Sequence, residues 1–201
     1  MEVKSIYPII NFSDEDEIAV QYERLGADGV IIISPDFSDE AMLIKKIRNI
    51  CEKSDCRLYI WQPYRRLEDI KKVLYAGAAG AWIEATEQTL IREAADRFGA
   101  DRVGMVISEP KLAADEFKLA KELNLTNIFV TGTIEISDTI VISDSRNVSI
   151  AAAENGTVIK RADGFLDDMF MVQGENTAFQ FGTGKNWGYS FIFDRRCLFR
   201  R

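Results

Sequence analysis

The stretch Leu67-Glu-Asp-Ile-Lys-Lys-Val-Leu-Tyr-Ala-Gly-Ala-Ala-Gly-Ala-Trp-Ile83 decides the fold. Leu67, Ile70, Val73 and Leu74 recur at helical spacing, so the first half is an amphipathic helix. Gly77 stands where a helix ends on a left-handed residue. The run at 81–84 is short and apolar up to Glu84, the pattern of a strand covered on both faces. Helix, glycine turn and buried strand make up half of a βαβ unit.

The same alternation extends in both directions. Short runs rich in Ile, Val and aromatics occupy 6–12, 29–34, 57–61, 81–84, 102–107 and 127–131. Between them lie helical segments. Ser13 with Asp14, Glu15 and Asp16 predicts a helix start, and Gly26 its end. Leu43, Ile44, Ile47, Ile50 and Cys51 form the stripe of a second helix, with Ser38 as its cap. Thr86 caps a fourth that carries Leu90, Ile91, Ala94, Ala95 and Phe98 and stops at Gly99. Pro110 opens a fifth, with Ala113, Phe117 and Ala120 inward. Strand–helix alternation at this pace implies right-handed crossovers on a parallel sheet, an α/β fold whose five or six consecutive units fit either TIM-barrel-like (β/α) repeats, complete or incomplete, or a doubly wound sheet.

Beyond Gly132 the pattern changes. The runs 139–143, 148–153, 157–162, 169–173, 177–181 and 189–194 are separated by turn residues, without helical spacing. Asn155-Gly156 between two of them is a hairpin signal. The expected organisation is a barrel-like region over 1–133 and an antiparallel β-rich segment over 134–201, which is either an appended subdomain or an altered closure of the barrel. Phe165, Phe170, Phe179, Phe181, Trp187, Tyr189, Phe191 and Phe193 crowd this segment. They predict one face of a sheet, through which a protein partner or a second copy could dock. Gly182-Thr183-Gly184-Lys185 lacks the spacing of a nucleotide phosphate loop and is expected to be a hairpin loop.

Composition narrows the function. The 201 residues are 47% hydrophobic and 28% charged, an ordinary globular balance, with no apolar stretch of spanning length. Net charge is −7 and the pI about 4.8, which argues against nucleic-acid binding. No membrane partner is expected. The chain contains no histidine, which excludes Ser-His-Asp and Cys-His catalysis and removes the usual neutral-pH proton carrier. Three cysteines imply reduced thiols and a cytoplasmic setting; Cys51 and Cys56 lack the spacing of a metal site, so neither metal nor cofactor is expected.

Three segments carry a resemblance: Leu25-Gly-Ala-Asp-Gly-Val-Ile-Ile-Ile33, the stretch 67–83, and Arg97-Phe-Gly-Ala-Asp-Arg-Val-Gly-Met-Val-Ile107. In order and spacing they resemble the (β/α)8 barrels of histidine biosynthesis, the ribotide isomerase and the cyclase subunit of imidazole glycerol phosphate synthase. Asn127-Ile-Phe-Val-Thr131 is similar to that family's sixth strand. The resemblance spans residues 1–133 and implies isomerase or lyase chemistry on a phosphorylated sugar or ribotide. The departures fall on that chemistry. Where the family places catalytic aspartates, this chain has Asn11 and Ser108; an amide cannot shuttle a proton, and a hydroxyl does so poorly without a base. Where the family carries a glycine-rich phosphate loop, this chain has Trp61-Gln-Pro-Tyr64, and proline has no N–H to donate.

Function in such folds gathers at the C-terminal ends of the strands. Those ends supply Glu84, Glu109 and Asp36 as candidate proton carriers, and Asn11, Gln62, Ser108, Thr131 and Thr133 as candidate ligand contacts. Glu84 and Glu109 end neighbouring strands and could approach each other; the competing expectation is that each caps a helix or faces water. Two functions remain: a ligand- or partner-binding relative without the family's turnover, or an enzyme acting on a small phosphorylated ligand through these carboxylates.

Overall fold

The structure is a computed structural model that describes residues 7–34, 39–108, 113–142, 147–152, 157–173, 178–182 and 192–193. Six strands alternate with five helices: β1 (Ile9–Asn11), α1 (Asp16–Arg24), β2 (Val30–Ile33), α2 (Glu40–Lys53), β3 (Leu58–Trp61), α3 (Leu67–Tyr75), β4 (Gly80–Glu84), α4 (Gln88–Phe98), β5 (Val103–Ile107), α5 (Ala113–Glu122) and β6 (Asn127–Val130). The strands lie side by side in chain order and every ladder among them is parallel. The six expected strands and five expected helices are all present.

The two faces of this curled sheet differ. Ile10, Val30, Ile32, Leu58, Ile60, Ala81, Ile83, Met105 and Ile107 pack with the helices in one large core. The opposite face holds a smaller cluster of Ile31, Trp82, Val106 and Phe129, flanked by Tyr7, Ile9, Tyr59 and Trp61. Its aromatics lie over glycines on neighbouring strands. A Cβ on Gly80 would fall 2.9 Å from the Tyr59 ring, and one on Gly104 2.8 Å from the Trp82 ring. One on Gly29 would meet both the Arg57 carbonyl at 2.6 Å and Tyr59 at 3.0 Å.

Helix ends follow local rules, with two shifts from expectation. Gly26 and Gly99 carry the positive φ of their terminating positions, +91° and +96°. Helix α1 starts at Asp16 rather than on a Ser13 cap, because Asp14 turns back to accept from the Asn11 amide. Helix α4 starts at Gln88 behind Glu87, without a capping hydroxyl from Thr86. Ser38 and Pro110 lie outside the described residues, and Asp39 caps α2 by accepting from the Met42 amide.

The segment after Gly132 corrects the antiparallel expectation. It contains β7 (Thr133–Ile136), β8 (Ile140–Ile142), β9 (Asn147–Ala152), β10 (Val158–Arg161), β11 (Phe170–Val172), β12 (Ala178–Gly182) and β13 (Ile192–Phe193). Among the described residues every ladder here is also parallel. Strands β7, β10 and β13 form one sheet, β8 and β11 a second, and β9 and β12 join the edge of the barrel-type sheet beside β6. Each strand therefore pairs with the third strand onward in the chain, not the next one, and the backbone winds as a three-sided parallel coil. Residues 155 and 156 lie outside the described residues, and the strands flanking them belong to different sheets, so no hairpin joins β9 to β10. Residues 183–185 of the expected 182–185 loop, and Trp187, Tyr189 and Phe191 of the aromatic segment, also fall outside them. Phe170 is described, and it points inward, edge-on to Phe117 of α5 with centroids 6.0 Å apart. Ile134, Ile136, Ile142, Ile150, Ile159 and Met169 share one continuous core with α5 and the barrel helices.

Replacing Gly104 with alanine is expected to cost about 1–3 kcal/mol in urea unfolding, because the buried Trp82 ring has no room to retreat. A second prediction concerns the tie between α1 and α2, where buried Lys46 donates to Asp16 Oδ1 at 2.9 Å and to the Asp14 carbonyl. Burial raises the Asp16 pKa, but the Lys46 and Asn49 hydrogen bonds and the Lys46 charge outweigh it and hold the carboxyl below 3.8. A carboxylate depressed in the folded state contributes stability above its unfolded pKa and loses it as pH falls through the folded one. Asp16→Asn is therefore expected to flatten the loss of stability between about pH 5 and pH 2, measured by urea titration at each pH.

Candidate functional site

The register of the parallel ladders places one row of side chains at the C-terminal ends of the strands on the small-core face. Trp61 follows Tyr59 by one period of the strand, as Glu84 follows Trp82 and Ser108 follows Val106. Trp61 Nε1 donates to Glu84 Oε1 at 2.9 Å, and Ser108 Oγ donates to Glu84 Oε2 at 2.8 Å. A single half-buried carboxylate thus bridges β3 and the end of β5 through two neutral donors. Each oxygen takes one hydrogen bond and keeps acceptor capacity for a second.

Other expected site residues are dispersed. Asn11 ends β1 and is exposed, its backbone amide donating to Asp14 Oδ2 at 2.7 Å. Thr131 is half-buried at the end of β6, its amide bonded to the Ile107 carbonyl. Thr133 is exposed on β7 of the coil and pairs in register with Val158. Gln62 is 4% exposed, adjoining Tyr64, so it sits beneath the mouth rather than in it. Burial pushes the Tyr64 phenol far up, and its hydroxyl donates to the Ile60 carbonyl at 3.0 Å. Asp36 and Glu109 lie outside the described residues.

Three backbone amides at this end are occupied by the chain's own carboxylates. Besides Asp14 on Asn11, Asp39 accepts from the Met42 amide at 3.1 Å and Asp69 from the Arg66 amide at 3.1 Å. These are the loop and helix-start positions that in other folds receive a phosphate. Among the described residues no group of three or more His, Cys, Asp or Glu comes together as a metal site. Burial raises the Cys51 thiol, and burial with the nearby Glu23 charge pushes Cys56 up to about 11.

Trp61 is the site residue that sequence reasoning missed. It stood out as a residue that blocks a glycine loop, whereas its alternation with Tyr59 already placed it on the same face as Glu84.

No family model matches the chain. Among solved structures the chain is similar to a protein described as a "putative phosphonomutase" from Burkholderia cenocepacia J2315. The likeness is 13% identical in sequence with a TM-score of 0.50, over 85% of this chain and 86% of that one. It supports an α/β fold of parallel barrel type, and does not single out the histidine-biosynthesis barrels. No helix of the described residues is long and apolar enough to cross a membrane.

Removing the shared acceptor tests the bridge. Glu84→Ala strands the Trp61 indole N–H and the Ser108 hydroxyl and is expected to cost about 1 kcal/mol. Ser108→Ala removes one exposed donor and is expected to cost about 0.5 kcal/mol, both by urea denaturation.

Proposed function

We propose that the protein is a ligand-binding relative of parallel α/β barrels, holding a small molecule at the C-terminal ends of its strands without isomerase or cyclase turnover. The observation that carries this reading is the Trp61–Glu84–Ser108 bridge. It is a positioned hydrogen-bonding centre at the end where such folds bind ligands, built around one carboxylate whose described partners are neutral donors. Proton abstraction and return on a sugar phosphate needs a second acid or base placed across the substrate, and Asn11 and Ser108 do not supply one.

The second reading is an enzyme acting on a phosphorylated small molecule, with Glu84 as its proton carrier and Glu109 or Asp36 as the partner. It draws support from the barrel-type fold and from the description of the Burkholderia protein, whose name denotes chemistry on a phosphorus-bearing substrate.

Two measurements separate these readings. Expression in histidine auxotrophs that lack either barrel enzyme is expected to give no growth, since each lost acid/base group removes ~10²–10⁴-fold in rate. Growth at ordinary expression would restore the enzyme. A thermal-shift screen of small metabolites is expected to yield stabilising ligands whose effect shrinks in Glu84→Gln.

A further inference from the structure

We infer that the ligand of the Glu84 centre is a small organic cation carrying a primary ammonium group, an inference that rests on the ligand-binding reading above. Three observations converge on it. First, Glu84 is a half-buried carboxylate that receives two neutral hydrogen bonds, while the described ion pairs of the chain engage other carboxylates. A charge partly withdrawn from water gains most from a partner of opposite sign.

Second, three of the backbone amides an anion would use are taken. The amides of Asn11, Met42 and Arg66 already hold Asp14, Asp39 and Asp69. Arg66 is itself paired with Asp69 at 3.1 Å, and the neighbouring Arg65 is exposed and also engaged. Glu15 and Glu87 add negative charge at the starts of α1 and α4. The described carboxylates at this end favour a cation over a phosphate, in keeping with a net charge of −7.

Third, the donor on Glu84 Oε1 is an indole. Trp61 points its N–H at Glu84 Oε1, so the half-buried ring meets the carboxylate edge-on and leaves both oxygens with acceptor capacity. An ammonium donates three hydrogen bonds and fits the acceptor capacity left on both Glu84 oxygens.

The test follows the Trp61 indole N–H signal in ¹H–¹⁵N spectra, assigned by its disappearance in Trp61→Phe. Benzylammonium is expected to shift this signal saturably in the full chain. Glu84→Gln, which keeps the shape and an acceptor oxygen, is expected to weaken binding about tenfold. Glu93→Gln, an exposed change on α4, is expected to leave binding unchanged. Benzyl alcohol, of similar shape but neutral, and ribose 5-phosphate are expected not to saturate. Equal binding of benzyl alcohol, or benzylammonium binding indifferent to Glu84→Gln, would overturn the inference. Saturation by ribose 5-phosphate without benzylammonium would overturn the ligand class and leave the binding reading standing. No saturable response to any of the three would overturn both. Thermal melts of each variant keep loss of fold separate from loss of binding.

Discussion

Everything at the strand ends depends on rings lying over glycines. Tyr59 occupies space that a side chain at Gly29 or Gly80 would need, and Trp82 does the same above Gly104. Tyr7, just before β1, then touches Tyr59 of β3 edge-on at 5.5 Å, and the row continues through Trp82 of β4 to Phe129 of β6. Burial, together with the neighbouring Tyr7, pushes the Tyr59 phenol up to about 12, so that ring stays uncharged at ordinary pH. Because successive residues of a strand alternate faces, fixing Tyr59 and Trp82 on this face also fixes Trp61 and Glu84 there. The site is thus a consequence of core packing one strand period below it.

The second constraint is the edge of β6. An open parallel sheet exposes unpaired amides and carbonyls at its last strand, and a barrel removes them by closing on itself. Here β9 and then β12 cover that edge, in register from Asn127 with Ser149 to Val130 with Ala152. The intervening β7 and β8 turn away to begin two further faces. Helix α5 lies against β7 and β8, and its Phe117 meets Phe170 from the next turn of the coil, so one helix serves both the sheet and the coil interior. Lys160 and Glu135, opposite each other in the β7–β10 ladder, add an ion pair at 2.7 Å on the outer surface.

These two constraints explain what was legible in the sequence. Helical and strand periods are local, so the six strands and five helices were found close to their true bounds. The strands beyond Gly132 were also found, apart from β7, because alternation and turn residues are local too. Their pairing was not legible. A strand's sequence says which side chains are buried, but not whether the buried face meets the next strand or the third one on. The Asn155-Gly156 signal described a tight turn and not its neighbours' partnership. Glu84 was legible from its place at a strand end. The bridge was not, since contact between Trp61, Glu84 and Ser108 depends on the relative register of three strands.

The same distinction clarifies the departures from the barrels of histidine biosynthesis. Taken alone, Asn11 marks a lost carboxylate. In the structure a carboxylate stands three residues further on, as Asp14, with its Oδ2 accepting from the Asn11 amide. Asp39 and Asp69 repeat this arrangement at the starts of α2 and α3. Each stabilises a helix start that would otherwise leave unsatisfied amides, and each fills a position that would otherwise attract an anion. A loop that caps itself and a loop that holds phosphate are alternative uses of the same N–H groups. At these three loops the chain has the first, and Glu84, whose described partners are neutral donors, is the charge that the proposed ligand would answer.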